Sequence, residues 1–143
     1  MKKVRFFFTV IAAVALMCLT TSCGKTGKII LGDWEVTSCV ATSASVLDFE
    51  PEFLGSVWTF KDDNTMTITQ DGESISGTYT IVDDDDLVMN FTITDDEPAK
   101  VVLDMDIEDI SKTQMTLDGD ATMTIVEMPL SDKIELNIVL KKK

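Results

Sequence analysis

Three cysteines, one arginine and no histidine set the chemistry open to this 143-residue chain. Cys23 directly follows Leu19-Thr20-Thr21-Ser22, and the residues before it have the make-up of an export signal. Lys2, Lys3 and Arg5 give a positive start, Phe6 to Leu19 is apolar apart from Thr9, and the small Thr21 and Ser22 stand where a signal peptidase cuts. Such a stretch is too short, and ends on residues too small, for a spanning helix. Cys39 has no imidazole to activate it and reads as a small half-buried hydrophobe. Carboxylates remain as proton carriers, but they fall on turns and polar strand faces, where water keeps their pKa values ordinary. No lysine falls in an inward register. The chain is therefore expected not to be an enzyme. The Asp83 to Asp86 run lacks the glycine and the spaced oxygens of a calcium loop, so no metal and no cofactor is expected.

A cysteine at the first position after such a cut resembles the lipobox of bacterial lipoproteins. The resemblance implies cleavage before Cys23, a diacylglycerol thioether on its sulfur and an acylated amino terminus. Two or three acyl chains hold stably, since each buried methylene contributes about 0.8 kcal/mol. Thr20 departs from the usual Leu of that motif. With Cys18 removed and Cys23 acylated, Cys39 stands alone and no intrachain disulfide can form. The implied organisation is a signal peptide over 1–22, an acylated cysteine and short tether over 23–28, and a folded domain over 29–143. Gly24 after the cysteine is no inner-membrane retention signal, and Gly24-Lys25-Thr26-Gly27-Lys28 is basic rather than acidic. The expected location is the cell envelope, on the periplasmic face of the outer membrane.

Residues 23–143 suffice for one core but not for two. They hold 9 lysines and 25 acids, a charge of −16, and no arginine. That balance repels phosphate and excludes nucleic-acid binding.

Period-two alternation starts at Trp34 and continues to the end. Trp34-Val36-Ser38-Val40, Trp58-Phe60, Met66-Ile68, Ile75-Gly77-Tyr79-Ile81, Leu87-Met89-Phe91-Ile93, Val101-Leu103-Met105-Ile107, Met115-Leu117, Met123-Ile125 and Ile134-Leu136-Ile138-Leu140 each share a face. That makes nine segments. The punctuation between them is Asp62-Asp63-Asn64, Asp71-Gly72, Asp83 to Asp86, Asp95-Asp96-Glu97-Pro98, Asp118-Gly119-Asp120, and Met128-Pro129 through Asp132. Ala41 to Gly55 carries Val46, Leu47, Phe49, Phe53 and Leu54, and is expected to pack as a loop or short helix across one end of the sheet. Strands with one apolar face and short links form antiparallel neighbours, and a long meander hides its edges best by closing. The expected fold is all-β, an antiparallel up-and-down barrel of eight or nine strands. A two-sheet sandwich is the alternative.

Gly32-Asp33-Trp34 at the start of the first strand resembles the lipocalin signature, in which the tryptophan plugs one end of the barrel. Leu31-Gly-Asp-Trp-Glu-Val, Trp58-Thr-Phe-Lys-Asp-Asp-Asn-Thr-Met-Thr-Ile and Gly77-Thr-Tyr-Thr-Ile are similar to the small lipocalin-like domains of Gram-negative envelope lipoproteins. The resemblance spans roughly Ile29 to Leu140. It implies a long first loop acting as a lid, and a basic side chain across the tryptophan from near the last strand. With no arginine there, Lys141, Lys142 or Lys143 is the candidate, because lysine also sits over an indole face.

An eight-stranded barrel is just wide enough to be filled by its own side chains or to hold one small ligand. The inward Trp34, Trp58, Phe60, Tyr79, Met89, Phe91, Met105 and Met123 are the candidate ligand-binding residues, with methionine supplying an adaptable apolar wall. The expected function is a membrane-anchored binder of a small apolar ligand. The alternative is a structural or protein-interaction module with a filled core, docking through its loops or the outward Val88, Val102, Val126 and Val139. The expected partners are thus the membrane through the acyl chains on Cys23, a small apolar ligand and an envelope protein.

Overall fold

Alternating apolar and polar residues need a sheet with one dry face, and the computed structural model has one such sheet, rolled shut. The structure describes residues 25–45, 52–94, 98–128 and 130–143. A short helix α1 (Lys25–Ile29) precedes eight strands: β1 (Gly32–Ala41), β2 (Val57–Phe60), β3 (Thr65–Gln70), β4 (Glu73–Val82), β5 (Asp86–Ile93), β6 (Ala99–Ile110), β7 (Gln114–Ile125) and β8 (Ser131–Lys142). Each strand pairs antiparallel with the next, and β8 returns to β1. The expected up-and-down barrel is present, and no open-edged sandwich forms.

The number of strands is eight because the two segments around Met115 and Met123 are one strand. Asp118-Gly119-Asp120, expected to turn the chain, lies mid-strand in β7. Gly119 takes the inward position between Leu117 and Ala121, opposite Met105. A Cβ there would strike the Asp104 carbonyl and come within 2.8 Å of the Met105 Cα. The glycine is thus there for close strand approach, not for a turn. Turn residues elsewhere do turn the chain. Asp71 and Gly72 take φ of 52° and 83°, the left-handed pair that suits a two-residue hairpin, and Asn64 sits at 63°. Asp63 caps its turn by accepting the Thr65 amide at 3.0 Å and hydroxyl at 2.5 Å.

A second departure lies in β1. The register slips between Val36 and Ser38, leaving Thr37 as an extra residue. Beyond this bulge the faces exchange: Cys39 pairs with inward Ile138 and packs on the core, while Val40, expected inside, is 52% exposed. Residues 25–28, expected as part of an open tether, form α1, with Thr26 buried.

The core runs the length of the barrel, with Ile30, Trp34, Trp58, Leu87, Met89, Leu103, Met105, Met115, Leu117 and Ile138 wholly enclosed. The signal peptide, Cys23, Val46, Leu47, Phe49, Asp95 to Glu97 and Pro129 lie outside the described residues.

Candidate functional site

Strand direction gives the barrel two unlike ends. The β2–β3, β4–β5 and β6–β7 turns meet α1 at one end. The long β1–β2 loop, the Asp71-Gly72 turn and the β5–β6 and β7–β8 loops meet at the other.

The first end is sealed. The Trp34 indole donates to the Ile30 carbonyl at 2.6 Å, fixing α1 across the opening. Lys142, which continues the inward row Ile138-Leu140 of β8, places Nζ 4.4 Å from the Trp34 ring centre. The same ammonium donates to the Ile29 carbonyl at 3.3 Å and to the Leu31 carbonyl. Of the three lysines considered for this contact, Lys142 makes it, and it is also the inward lysine that the strand pattern did not reveal. Burial lowers its pKa, with Asp33 pulling the other way. The ring face and two carbonyls offset that desolvation. Gly32, at φ 106°, leaves room for it, since a Cβ there would lie 3.2 Å from Nζ.

Phe60 and Tyr79 belong to this sealed half. Their rings meet edge to face at 5.1 Å, and the Tyr79 hydroxyl donates to the Lys61 carbonyl at 2.6 Å. Met89 and Met105 fill the waist and are fully enclosed.

The second end is looser. Half-buried Cys39, Phe53, Ile75, Ile93 and Met123 pack around the upper core formed by Phe91, Val101 and Ala121. Trp58, beside Trp34 on the neighbouring strand, links the β1–β2 loop to the core. Its indole donates to the Ser56 hydroxyl at 2.9 Å, which donates on to the Phe53 carbonyl at 2.6 Å. The Phe53 ring meets Trp58 edge to face at 5.3 Å. The end of the long loop is thereby folded onto the barrel, and Gly55, at φ 80°, lets its amide reach the Val36 carbonyl. The start of the loop is tied to β8: Thr42 N–H donates to the Glu135 carbonyl, and the Ser45 hydroxyl donates to Asp132. Burial raises the Cys39 thiol pKa against a hydrogen bond from the Phe53 backbone, so the thiol is a wall group and a poor nucleophile.

The eight residues expected to bind ligand are therefore not brought together. Trp34, Phe60 and Tyr79 seal one end, and Met89 and Met105 fill the waist. Trp58 stands beside Trp34 under the Phe53 ring, and Phe91 and Met123 reach the looser end. The residues that join them there are Cys39, Phe53, Ile75, Ile93 and Asp132. Alternation marked Ile75 and Ile93, and parity with Ile134 placed Asp132 inside, where it is 5% exposed rather than on the outer face as expected of acids. Cys39 is the half-buried apolar group expected, and the bulge turns it inward from the face that alternation gave it.

Outside, the acids face one another across strands. Asp86, Asp106 and Asp118 form one row, and Asp104, Asp120 and Glu135 a second. Lys133 pairs with Asp120 at 2.6 Å. Among the described residues no group of three or more Cys, Asp or Glu is placed to hold a metal ion, and no helix is long and apolar enough to cross a membrane.

A family model described as a lipocalin-like domain matches residues 30–117, from the Ile30 plug into β7. No curated protein matches the chain. A solved structure described as EF1p2_mFAP2b bound to DFHBI is 19% identical, with a TM-score of 0.50, covering 82% of this chain and 97% of that one. Likeness at that identity speaks for the fold.

Proposed function

Because the chain belongs to the lipocalin-like domain family, we propose that it is a non-catalytic binder of a small apolar molecule, held to a cell-envelope membrane by acyl chains on Cys23. The observation that carries the binding reading is the contrast along the barrel axis. One end is stoppered by Trp34, Lys142 and α1 beside the partly buried Ile81, Ile107 and Ile110, and the other is walled by apolar, partly buried side chains with no such stopper among the described residues. Partial burial of an apolar wall is surface that a ligand can still dehydrate. Cys39, Phe53, Ile75, Ile93 and Met123 supply the wall, with Trp58 and Phe91 beneath. The solved neighbour of the same architecture is described as bound to DFHBI, which supports such a barrel as a holder of small molecules. The motif at Cys23 supports the anchor, and the absence of histidine supports a non-catalytic role. The periplasmic face of the outer membrane is the proposed location.

Native mass spectrometry of the chain purified from its own membrane tests the binding. A co-purified apolar adduct that is lost on Ile93→Glu substitution is the expected result. A chain that carries no adduct and takes up no apolar dye refutes it.

The filled waist favours a second reading. Met89, Leu103, Met105 and Leu117 leave no exposed surface at that level, which suits a solid module that docks to an envelope protein through its loops or its outward valines. Val88, Val102 and Val139 are only half-exposed, whereas Val126 is 57% exposed. Cross-linking that captures a stoichiometric partner through Val126 favours this reading over the first.

A further inference from the structure

The wall of the looser end is apolar with one exception. Asp132 shares the inward parity of Ile134 and Leu136, is 5% exposed, and stands across from Met123. Met123 stands in turn across from inward Val101, so the carboxylate ends a row of apolar groups. A carboxylate taken out of water is costly unless something holds it. The partners of Asp132 include the Ser45 hydroxyl and the Lys133 backbone N–H, both neutral donors. They bind it without cancelling its charge. Half-way round the eight-stranded ring, Glu73 opens β4 on the inward parity of Ile75, exposed and paired with Gln70.

Both described lysines of this end face outward. Lys100 alternates with inward Ala99 and Val101 and is exposed. Lys133 alternates with Asp132 and Ile134 and pairs with Asp120 at 2.6 Å. Glu52, Asp71 and Glu127 add the opposite charge in the surrounding loops, all three exposed. Inward Lys142 lies at the sealed end, on Trp34. Residues 23–143 hold no arginine. A ligand carboxylate entering the looser end therefore meets like charge on the inward face and no inward lysine among the described residues. An ammonium meets the reverse.

We propose that the ligand of the looser end is an amphipathic cation, an apolar body bearing a protonated amine. The inference rests on the binding reading above and gives its ligand class. The apolar body lies against Phe53, Ile75, Ile93 and Met123, and Asp132 receives the ammonium. The ammonium takes the place of the Ser45 hydroxyl, which donates to the same carboxylate. A charge-assisted N–H···O bond is about twice as strong as a neutral one, so the exchange favours the ligand. A mostly apolar wall with one placed polar group is the usual make-up of a small-molecule site, and that group sets orientation and selectivity. Glu73 and the net charge of −16 draw a cation towards this end before contact. Ser45 ties the start of the β1–β2 loop to β8, so its release loosens the loop as the ligand seats.

The test is calorimetric titration of the purified chain, at neutral pH and physiological ionic strength, with dodecylamine, dodecanol and dodecanoate, which share one alkyl chain. Dodecylamine should bind once per chain and roughly tenfold tighter than dodecanol, with dodecanoate weakest. Asp132→Asn should remove that preference and leave dodecanol binding unchanged. Asp104→Asn deletes the same charge from the outer wall and should leave the preference in place. Glu73→Gln should lower it roughly threefold, and it carries the test alone should Asp132→Asn fail to fold. Equal affinity for amine and alcohol, a preference for dodecanoate, or equal losses in Asp132→Asn and Asp104→Asn overturns the ligand class while leaving an apolar binder. A chain that takes up none of the three probes sinks the binding reading and its ligand class together.

Discussion

Two tryptophans paired across β1 and β2 are held in opposite ways. At the sealed end Trp34 is fully buried, its N–H is bonded, its face is covered by Lys142, and α1 closes over it. Trp58, directly across from Trp34 on β2, is equally buried and equally bonded, but its partners Ser56 and Phe53 belong to a loop. A tryptophan held by strand and helix is a stopper. A tryptophan held by loop residues has a cover that can be remodelled without disturbing the strands. The difference between the two thus lies in what supports the ring and not in the ring itself.

The strongest way to break that contrast lies between the ends. Gly119→Val would force β6 and β7 apart, because its Cβ has no room beside the Asp104 carbonyl. We expect a loss of about 3 kcal/mol or more, or failure to fold, read by urea unfolding followed by tryptophan fluorescence. Next is the asymmetry of the ends themselves. Trp34→Ala should cost about 3–5 kcal/mol as a buried aromatic deletion, whereas Met123→Ala, at a half-buried position, should cost about 1 kcal/mol. Similar losses at both would erase the distinction between stopper and mouth. Lys142→Ala should fall between, at about 2 kcal/mol, through the lost ring and carbonyl contacts. A neutral outcome there would mean that burial of the ammonium cancels those contacts.

Smaller effects sharpen the comparison. Alkylation of Cys39 should be slow at neutral pH, because burial raises its pKa. It should slow further when an apolar ligand occupies the looser end, and unchanged rates would place the ligand elsewhere. The smallest effect concerns pH. Asp86 shares a hydrogen bond with Asp106, which raises its pKa above the ordinary 3.8. The folded chain therefore holds that proton more tightly than the unfolded one, and this pair adds stability as pH falls from neutral, levelling off below 3.8. Asp63 works in the opposite sense. The Thr65 hydroxyl, its main partner, lowers its pKa, so its stabilisation is present above 3.8 and lost as pH falls through the depressed value. Asp86→Asn should flatten the acid-side rise in melting temperature, and Asp63→Asn should flatten the loss.

Most strands were legible because each has one dry face, and period-two alternation carries that face directly into the residue order. The barrel closed where alternation and short links implied that it would, and Asp71-Gly72 turned as its chemistry requires. What escaped were places where a residue type has two uses. Gly119 between two aspartates has the composition of a turn, yet it serves as the hollow that Met105 and the Asp104 backbone need. The Thr37 bulge exchanges the faces of Ser38 to Ala41 with no marker residue, so the half-burial expected of Cys39 is met on the inward face and not on the one alternation assigned. Lys142 and Asp132 are inward because β8 keeps its parity from end to end, and that parity was read only across its apolar middle. The candidate site was therefore half-visible. Trp58, Phe91 and Met123 were marked correctly as inward. The division of the inward set between two ends depends on strand direction and on the packing of α1, which alternation does not encode.

The seam between β1 and β8 joins Cys39 to Ile138, 99 residues further along the chain. No shortened product lacking the last strand can shut the cylinder, and a ribosome must release almost all of the polypeptide before the final ladder can zip. Closure over so long a loop is entropically slow, which puts maturation of this domain in the millisecond-to-second range typical of non-local β topologies.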